Sequence, residues 1–487
     1  MKFLEKHKFL FFSFAFTLAC VFPLFKMEYA TDTYCAYGIA LSGIGDAMFT
    51  NGRYITGLFA YLFYHLNLSI PAFYFTSFIL AIIFMSFAIY TLYTVLREHM
   101  SRWLGFLIAF VSVFNLAGIE YFLFLEKGAF AFSIFMAILA LKCFVGFLQG
   151  KKYQIVLSFL FLILSALTYQ IIPGVFVTLC VVFIVKYSKS AKSFIINNIL
   201  AVCIYGSGTI SDYLIVRLTQ NNQRVDSAMH LSNIFKFYSF NTMKIGFAFL
   251  YLIIFVLSLV LFFAIRHFAY KERPCKSSVL IYSKYLYIVL GAMAVTVLPF
   301  VFVKPNEVWF MFRVAYPIFS LPGAIFIALF YQLNDSGNES KKKAFVSKII
   351  LISIISISVI FFNVLNFSRL INNEKDEELF NTIYSEIEAY EQKSSTKITR
   401  ITIYYDKNLT HVNPNVLHIG DCNLRAYSRH WSDVNLFVAL SGRGFIRTYD
   451  NKLINQEYKS YFLSQDWDCY SDEQLIFDGD TLHLCIY

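Results

Sequence analysis

Long apolar runs separated by short polar segments fill the first three quarters of the chain. A helix that crosses a bilayer needs about 20 apolar residues at a rise of about 1.5 Å each, and about eleven runs are compatible with that length. They fall near residues 9–25, 71–96, 102–119, 128–148, 153–169, 171–186, 193–216, 245–265, 279–303, 313–332 and 345–366. The pattern therefore predicts an α-helical polytopic membrane protein with about eleven transmembrane helices.

One further apolar stretch, Tyr54 to Leu68, is too short to cross a bilayer. It ends before Pro71 and contains His65 and Asn67. A stretch of this length and polarity is typical of an interfacial or re-entrant helix. We therefore predict a helix at the membrane surface and not a span.

The pattern changes after residue 366. The segment Glu374 to Gln392 is charged and favours a helix, and short alternating segments follow it. Strands are predicted at Lys397–Tyr405, Val416–Ile419 and Gly479–Tyr487. We expect two domains: a transmembrane domain at residues 1–366 and a small α/β domain at residues 367–487, within the usual size range of an independent fold.

Composition agrees with a membrane protein and locates the charge. Hydrophobic residues make up 58%, charged residues 15%, and the mean hydropathy is +0.59, too apolar for an ordinary soluble protein. The net charge is +10, but 18 of the 31 acidic and only 12 of the 41 basic residues lie in residues 367–487. The tail is therefore at −6 and the remainder at +16. The excess bases belong to the membrane part, so they do not indicate nucleic-acid binding.

Basic residues recur in alternate loops between the predicted spans. They are Lys2, Lys6, Lys8, Arg97, Arg102, Lys151, Lys152, Lys186, Lys189, Lys192, Arg266, Lys271, Arg273, Lys276, Lys341, Lys342, Lys343 and Lys348. Since loops rich in Lys and Arg stay in the cytoplasm, the N-terminus is predicted to be cytoplasmic and the acidic tail external. No small-x-small cleavage site follows the first span, which is predicted to be an uncleaved anchor.

Of the nine cysteines, four lie on the predicted outer side, where an oxidising compartment would allow disulfides. These are Cys35, Cys422, Cys469 and Cys485. Cys422 with Cys469 is the preferred pair, and the alternatives among the tail cysteines stay open. No CxxC motif or Cys/His cluster is present, so no metal site is expected. Nucleotide-binding and common hydrolase motifs are also lacking.

Polar residues near the outer ends of the spans are the candidate functional residues. They are Asp32, Asp46, Arg53, Glu120, Glu126, Lys127, Tyr169, Gln170, Lys304 and Arg313. A charge inside the apolar boundary costs roughly 2.5–3.5 kcal/mol on insertion scales, so it needs a partner or a function. Charges beyond that boundary need neither.

The acidic candidates each have an ordinary alternative role. Asp32 and Asp46 are either solvated loop acids or a general base at the membrane surface. Glu126 is either a second catalytic carboxylate or one half of a couple with Lys127. Tyr169 and Gln170 end a span before Pro173, where helix capping is the simplest role.

The basic candidates could contact a phosphate. Asn51-Gly52-Arg53 is typical of a tight turn, and its arginine could lie over a phosphate group. Lys304 and Arg313 flank a short loop at lipid headgroup depth. They either extend to the headgroups or bind a lipid-linked phosphate.

Together these residues form a recognisable pattern. Asp32 follows the first span, Asn51-Gly52-Arg53 opens the next helix, Glu120 and Glu126 lie in the second outer loop, and Tyr169-Gln170 and Arg313 complete the set. The chain resembles the serotype-converting O-antigen glucosyltransferases of the Gtr type, polytopic enzymes of the C-type glycosyltransferase class. The likeness covers most of the membrane part and, in layout, the tail with its Trp467-Asp468-Cys469 segment. Family members usually carry paired acids after the first span, whereas here Thr33 follows Asp32.

The resemblance implies an enzyme of the bacterial inner membrane with a periplasmic C-terminal domain. It implies transfer of glucose from undecaprenyl-phosphate-glucose to the O-antigen repeat of lipopolysaccharide, without a cofactor. Asp32 is then the base, with Asp46 or Glu126 as a second carboxylate, and Arg53, Lys304 and Arg313 contact the donor phosphate. Glu120, Lys127, Tyr169 and Gln170 are further site candidates.

Three other functions fit a polytopic protein of this composition. A polysaccharide flippase would usually show internal repeats and broken helices at mid-membrane, and the sequence shows neither. An O-antigen polymerase would also place cations outside, although a folded C-terminal domain is weak evidence against it. A non-catalytic assembly subunit is a third alternative.

Overall fold

The computed structural model describes residues 2–115, 117–219, 229–238, 278–305, 312–334, 341–418, 422–448 and 456–487. Within these residues the chain is mostly helical, with a small sheet near the C-terminus. The helices are α1 Lys2–Val21, α2 Thr31–Thr50, α3 Tyr54–His65, α4 Ile70–Leu96, α5 Arg102–Val113, α6 Gly118–Leu123, α7 Lys127–Leu148, α8 Gln154–Thr168, α9 Gly174–Tyr187, α10 Ala191–Thr219, α11 Ser232–Tyr238, α12 Ser278–Val297, α13 Tyr316–Phe319, α14 Leu321–Asn334, α15 Lys341–Ser394, α16 Asp433–Ser441 and α17 Gln456–Ser464.

Six helical segments in the described ranges are long and apolar enough to cross a membrane. They are His7–Phe25, Ile70–Leu96, Lys127–Leu148, Ala191–Ile215, Arg313–Phe330 and Lys348–Ser394. Four shorter apolar helices lie where further spans are predicted: Arg102–Val113, Gln154–Thr168, Gly174–Tyr187 and Leu286–Val301. The predicted span at 245–265 lies outside the described residues, as does the basic loop around Arg266, so the total of eleven stays a prediction.

Helices α4 and α7 pack closely against each other in the bundle. Gly128, in the first turn of α7, donates its backbone N–H to Ser77 Oγ at 2.9 Å. A β-carbon at Gly128 would lie 2.8 Å from the Ser77 carbonyl oxygen, so the glycine permits this close approach. Farther along α7, Ser133 Oγ donates to the Ser165 carbonyl on α8 at 2.8 Å, and Ser165 Oγ donates to the Ser133 carbonyl at 2.9 Å. Small residues and buried hydroxyls therefore hold α7 between its two neighbours.

The polar stretch after the first span forms a helix, to which the sequence analysis assigned no element. Helix α2 has one non-helical residue, Ala40, with φ 57°, and it packs against α3. The two are joined by the predicted turn, in which Gly52 has φ 75° and Arg53 N–H donates to Met48 O at 2.9 Å. A separate helix at 54–65 is confirmed, and its depth in the bilayer stays a prediction.

The C-terminal domain is built on the last part of α15. This helix has 54 residues, about 81 Å at 1.5 Å per residue, so it continues from the membrane part into the domain through the predicted boundary at residue 366. The strands are β1 Arg400–Tyr405, β2 Ile446–Arg447, β3 Leu475–Asp478 and β4 Thr481–Ile486. Their order is β2-β1-β4-β3, with β1 parallel to both neighbours and β3 antiparallel to β4.

Two predictions about the tail are corrected. Residues 416–418 are not a strand. Instead, the Leu417 N–H donates to Ser368 Oγ on α15 at 3.2 Å. Ile419, the last residue of the predicted strand, lies outside the described residues. Cys422 and Cys469 are free thiols, as are the other described cysteines. Cys422 is buried in the core of the membrane part, whereas Cys469 is exposed, so these two cannot pair.

Candidate functional site

Charged residues gather at the end of the helix bundle that faces the C-terminal domain. Glu126, the residue before α7, is 8% exposed and lies within electrostatic reach of Arg53, Arg313 and Asp32. Burial raises the pKa of the Glu126 carboxyl, and the two arginines oppose that rise. We call this group, with Lys127, Asp212 and Arg369 described below, the charged cluster.

Asp32 lies in the first turn of α2, where its negative charge is favoured by the helix dipole. Its side chain is exposed, and Trp431 Nε1 donates a hydrogen bond to Asp32 Oδ1 at 3.1 Å. The acid is therefore held at a helix end, and the C-terminal domain orients it. Its exposed position suits a group that meets a water-borne molecule.

Arg53 is brought into the cluster by the turn between α2 and α3. Its guanidinium carbon lies 4.7 Å from the centre of the Tyr169 ring, and Nη1 is 3.8 Å from Met48 Sδ. Arg53 Nε is buried and has no hydrogen-bond acceptor among the described residues. The aromatic ring fixes the plane of the guanidinium and leaves an N–H group for another acceptor.

Gln170 connects this turn to a carboxylate that the sequence analysis did not single out. Gln170 Nε2 donates to Asn51 O at 2.9 Å and, at 3.4 Å, to Asp212 Oδ1. Asp212 is only 9% exposed and lies within reach of Arg53. An acid inside an apolar span was the available signal, because such residues are costly without a role.

Lys127 and Arg369 bring two cations together in the interior. Their exposures are 1% and 2%, and each is within electrostatic reach of the other. Lys127 Nζ lies 3.1 Å from the centre of the Tyr74 ring, and Arg369 Nε donates to Asn423 Oδ1 at 2.9 Å. Lys127 Nζ and Arg369 Nη1 have no hydrogen-bond acceptor within the described ranges. The sequence did not indicate Arg369, because it follows the last predicted span, where a basic residue is typical of a loop.

Arg313 and Glu120 form a buried ion pair. Arg313 Nη1 donates to Glu120 Oε1 at 2.6 Å, and the Arg313 backbone N–H donates to Oε2 at 2.5 Å. The two residues are 8% and 1% exposed, and the guanidinium carbon lies 4.4 Å from the Phe124 ring centre. This pair satisfies both charges, so contact of Arg313 with a donor phosphate stays a prediction without support from the geometry.

Two further candidates make other contacts. Asp46 is on α2 beyond the non-helical Ala40, and it accepts a hydrogen bond from the Tyr61 hydroxyl on α3. Lys304 is exposed after the 3₁₀ turn at Leu298–Phe302. Of the two acids proposed to assist Asp32, Glu126 lies within electrostatic reach of it.

The cluster combines one exposed carboxylate, two buried ones and cations with N–H groups that have no acceptor. This arrangement can bind an anion and accept a proton beside it. Within the described residues no group of three His, Cys, Asp or Glu side chains could hold a metal ion. Comparison with protein-family models and with curated proteins finds no match for this chain.

Proposed function

We propose that this chain is a membrane glycosyltransferase that transfers a glucosyl residue from undecaprenyl-phosphate-glucose to the O-antigen repeat unit. The observation that carries the proposal is the charged cluster, in which buried cations lie beside an exposed carboxylate at one end of an apolar helix bundle. The choice of glucose and of O-antigen comes from the resemblance described above. The periplasmic side of the bacterial inner membrane follows from the basic loops and from the same resemblance.

The cations account for the donor phosphate. A buried N–H group without an acceptor costs about 1–3 kcal/mol, and more when it is charged, so Arg53, Lys127 and Arg369 favour an anion with several oxygens. A polyprenyl phosphate meets this need because its tail stays in the bilayer while its phosphate reaches the helix ends. The same N–H groups stabilise the charge that develops on the departing phosphate.

The carboxylates account for the acceptor. A sugar hydroxyl attacks the anomeric carbon, its proton passes to Asp32, and the electrons of the broken anomeric C–O bond leave with the phosphate. Asp32 is exposed and can meet a water-borne acceptor, whereas Glu126 is buried. Glu126 lies within electrostatic reach of both Asp32 and Arg53, beside the groups proposed to react.

The test is sugar transfer by the purified chain after reconstitution into membranes. The wild type, supplied with undecaprenyl-phosphate-glucose and an O-antigen acceptor, is expected to add one side-branch sugar, detected by the structure of the polysaccharide product. A longer chain with no branch would identify a polymerase. Movement of the lipid-linked glycan across vesicles without a new glycosidic bond would identify a flippase, and either result would overturn the proposal.

A further inference from the structure

A polar cleft of about 690 Å³ lies in the C-terminal domain between the last turns of α15 and the loop before β2. Its walls include Tyr384, Glu388, Gln392, Thr399, Arg443 and Gly444. Glu391, which also lines the cleft, is 22 residues beyond Arg369 on α15, about 33 Å at 1.5 Å per residue. The cleft is therefore separate from the charged cluster.

The floor of the cleft is a fixed set of ion pairs. Glu391 is buried and accepts hydrogen bonds from Arg443 Nη2 at 2.6 Å, from Lys397 Nζ at 2.8 Å and from the Ile398 N–H at 2.8 Å. Arg443 Nη2 also donates to the Ile398 carbonyl at 2.9 Å. Bidentate and networked pairs of this kind hold their geometry, so the floor is preformed.

The lining as a whole carries no net formal charge. Its two acids, Glu388 and Glu391, match its two bases, Lys397 and Arg443, in number, and both bases are engaged with Glu391 in the floor. Exposed Glu388 and Gln392 lie one turn apart and, with Thr399, offer donors and acceptors along one wall. The half-buried Tyr384 ring adds an aromatic surface. Dispersed polar groups beside an aromatic ring match a polyhydroxylated chain.

We infer that this cleft binds a segment of a glycan chain. The inference rests on the proposed function, because the acceptor polysaccharide is the glycan that this chain would meet. A site about 33 Å along α15 from Arg369 holds a part of the polymer distant from the reacting hydroxyl. It therefore contributes to the affinity for long acceptors and leaves the chemical step unchanged.

Gly444→Phe tests the site by filling it. A β-carbon at Gly444 meets no atom within 4 Å and the residue is not in the left-handed region, so the ring enters the cleft without backbone strain. Ser460→Phe, on the exposed face of α17, is the matched control. Binding of delipidated O-polysaccharide from the producing strain is measured by calorimetry on the full chain in nanodiscs.

Gly444→Phe is expected to weaken polysaccharide binding by about tenfold or more, which is the loss of roughly 1.4 kcal/mol of binding free energy. It should raise the KM for long acceptors while the KM for the donor, the KM for a single repeat unit and the melting temperature stay as in Ser460→Phe. Equal binding by the two variants would overturn the inference. So would displacement of the polysaccharide by inorganic phosphate or by polyglutamate.

The two proposals fail in different ways. If the wild type transfers sugar but its polysaccharide binding does not depend on Gly444, the glycan site is excluded and the transferase proposal stands. If the wild type transfers no sugar but binds polysaccharide, and Gly444→Phe abolishes that binding, the transferase proposal is excluded and the glycan site stands.

Discussion

Trp431 donates its indole N–H to Asp32 across 399 residues of sequence, at 3.1 Å. This bond joins the C-terminal domain to the first turn of α2, where the proposed base lies. Next to it, Arg369 Nε donates to Asn423 Oδ1 at 2.9 Å, and Lys26 Nζ donates to Glu374 Oε1 at 2.9 Å. The domain therefore contacts the same end of the bundle that carries the charged cluster.

The first prediction separates the carboxylate from its hydrogen bond. Asp32→Asn keeps the size of the side chain but removes the base, so transfer should fall by roughly 10²–10⁴-fold. Trp431→Phe keeps the base and loses only its orienting donor, so its loss should be much smaller. Both are measured as transfer rates in membranes at matched expression. Near-normal transfer by Asp32→Asn would show that Asp32 is not the base.

The second prediction concerns the docking of the domain on α2. A β-carbon at Gly38 would lie 2.8 Å from Asn435 Cγ, and Asn435 is held by its bond to the Trp431 carbonyl at 2.9 Å. Gly38→Val should loosen the domain and increase proteolysis between α15 and β1. Adding Asn435→Ala removes the obstruction, so the double variant should regain resistance. Continued sensitivity of the double variant would locate the defect in α2 itself.

The helices of the membrane part could be predicted because their length and hydropathy are set by the bilayer, independently of their neighbours. Helix α2 was missed for the opposite reason: Gly38, Gly43 and Gly45 interrupt its pattern, and it is helical where it packs on α3 and on the C-terminal domain. Strand β1 was predicted from alternation alone. The segment at 416–418 shows a similar pattern but is bound to α15 and, among the described residues, is not part of the four-stranded sheet.

The sequence named the candidate residues but not their pairing. It picked out polar residues near span ends, because span ends are visible in the pattern. It could not show that Glu120 satisfies Arg313 or that Asp46 accepts a hydrogen bond from Tyr61. Those facts depend on which side chains face each other, and that is decided by tertiary packing.

The third prediction tests the buried ion pair. Arg313→Met removes the cation from the buried Glu120 carboxylate and leaves it the hydrogen bond from the backbone N–H of residue 313, and the loss of one charge of a buried pair costs about 3–5 kcal/mol. The melting temperature in detergent should fall clearly. The double variant Glu120→Gln with Arg313→Met removes the orphaned charge and should recover most of the loss. If Arg313→Met weakened donor binding without lowering the melting temperature, the phosphate role predicted from the sequence would be favoured.

The fourth prediction is a pH dependence of the C-terminal domain. Burial lowers the pKa of His483 below its ordinary value of about 6.5, against an opposing effect of Asp478. The ring is held by Tyr404, whose hydroxyl lies 3.0 Å from Nδ1, and by Tyr458. Because the unfolded chain binds the proton more readily, the stabilisation is present above pH 6.5 and is lost as the pH falls towards the lower folded-state pKa.

This is measured by thermal unfolding of the full chain from about pH 7.5 to about pH 5, a range that includes the ordinary His pKa of about 6.5. His483→Asn keeps a polar atom near the Nδ1 position and cannot titrate in this range. Its melting temperature should change less with pH than that of the wild type. Parallel curves for the two proteins would exclude His483 as the source.

The last prediction distinguishes a ligand site from a structural contact at Lys127. A buried cation whose N–H groups have no acceptor is costly in the empty protein, although its contact with the Tyr74 ring returns about 0.5–2 kcal/mol. Lys127→Met keeps the length of the side chain and removes the charge, so the melting temperature of the donor-free protein should stay level or rise. The donor KM should increase by about tenfold to a hundredfold, since a charged hydrogen bond is worth about 1.5–3 kcal/mol. Lys142→Met, at an exposed position on the same helix, serves as the control and should change neither quantity. A lower melting temperature with an unchanged donor KM would make Lys127 a packing residue and would leave Arg53 as the principal candidate for the phosphate.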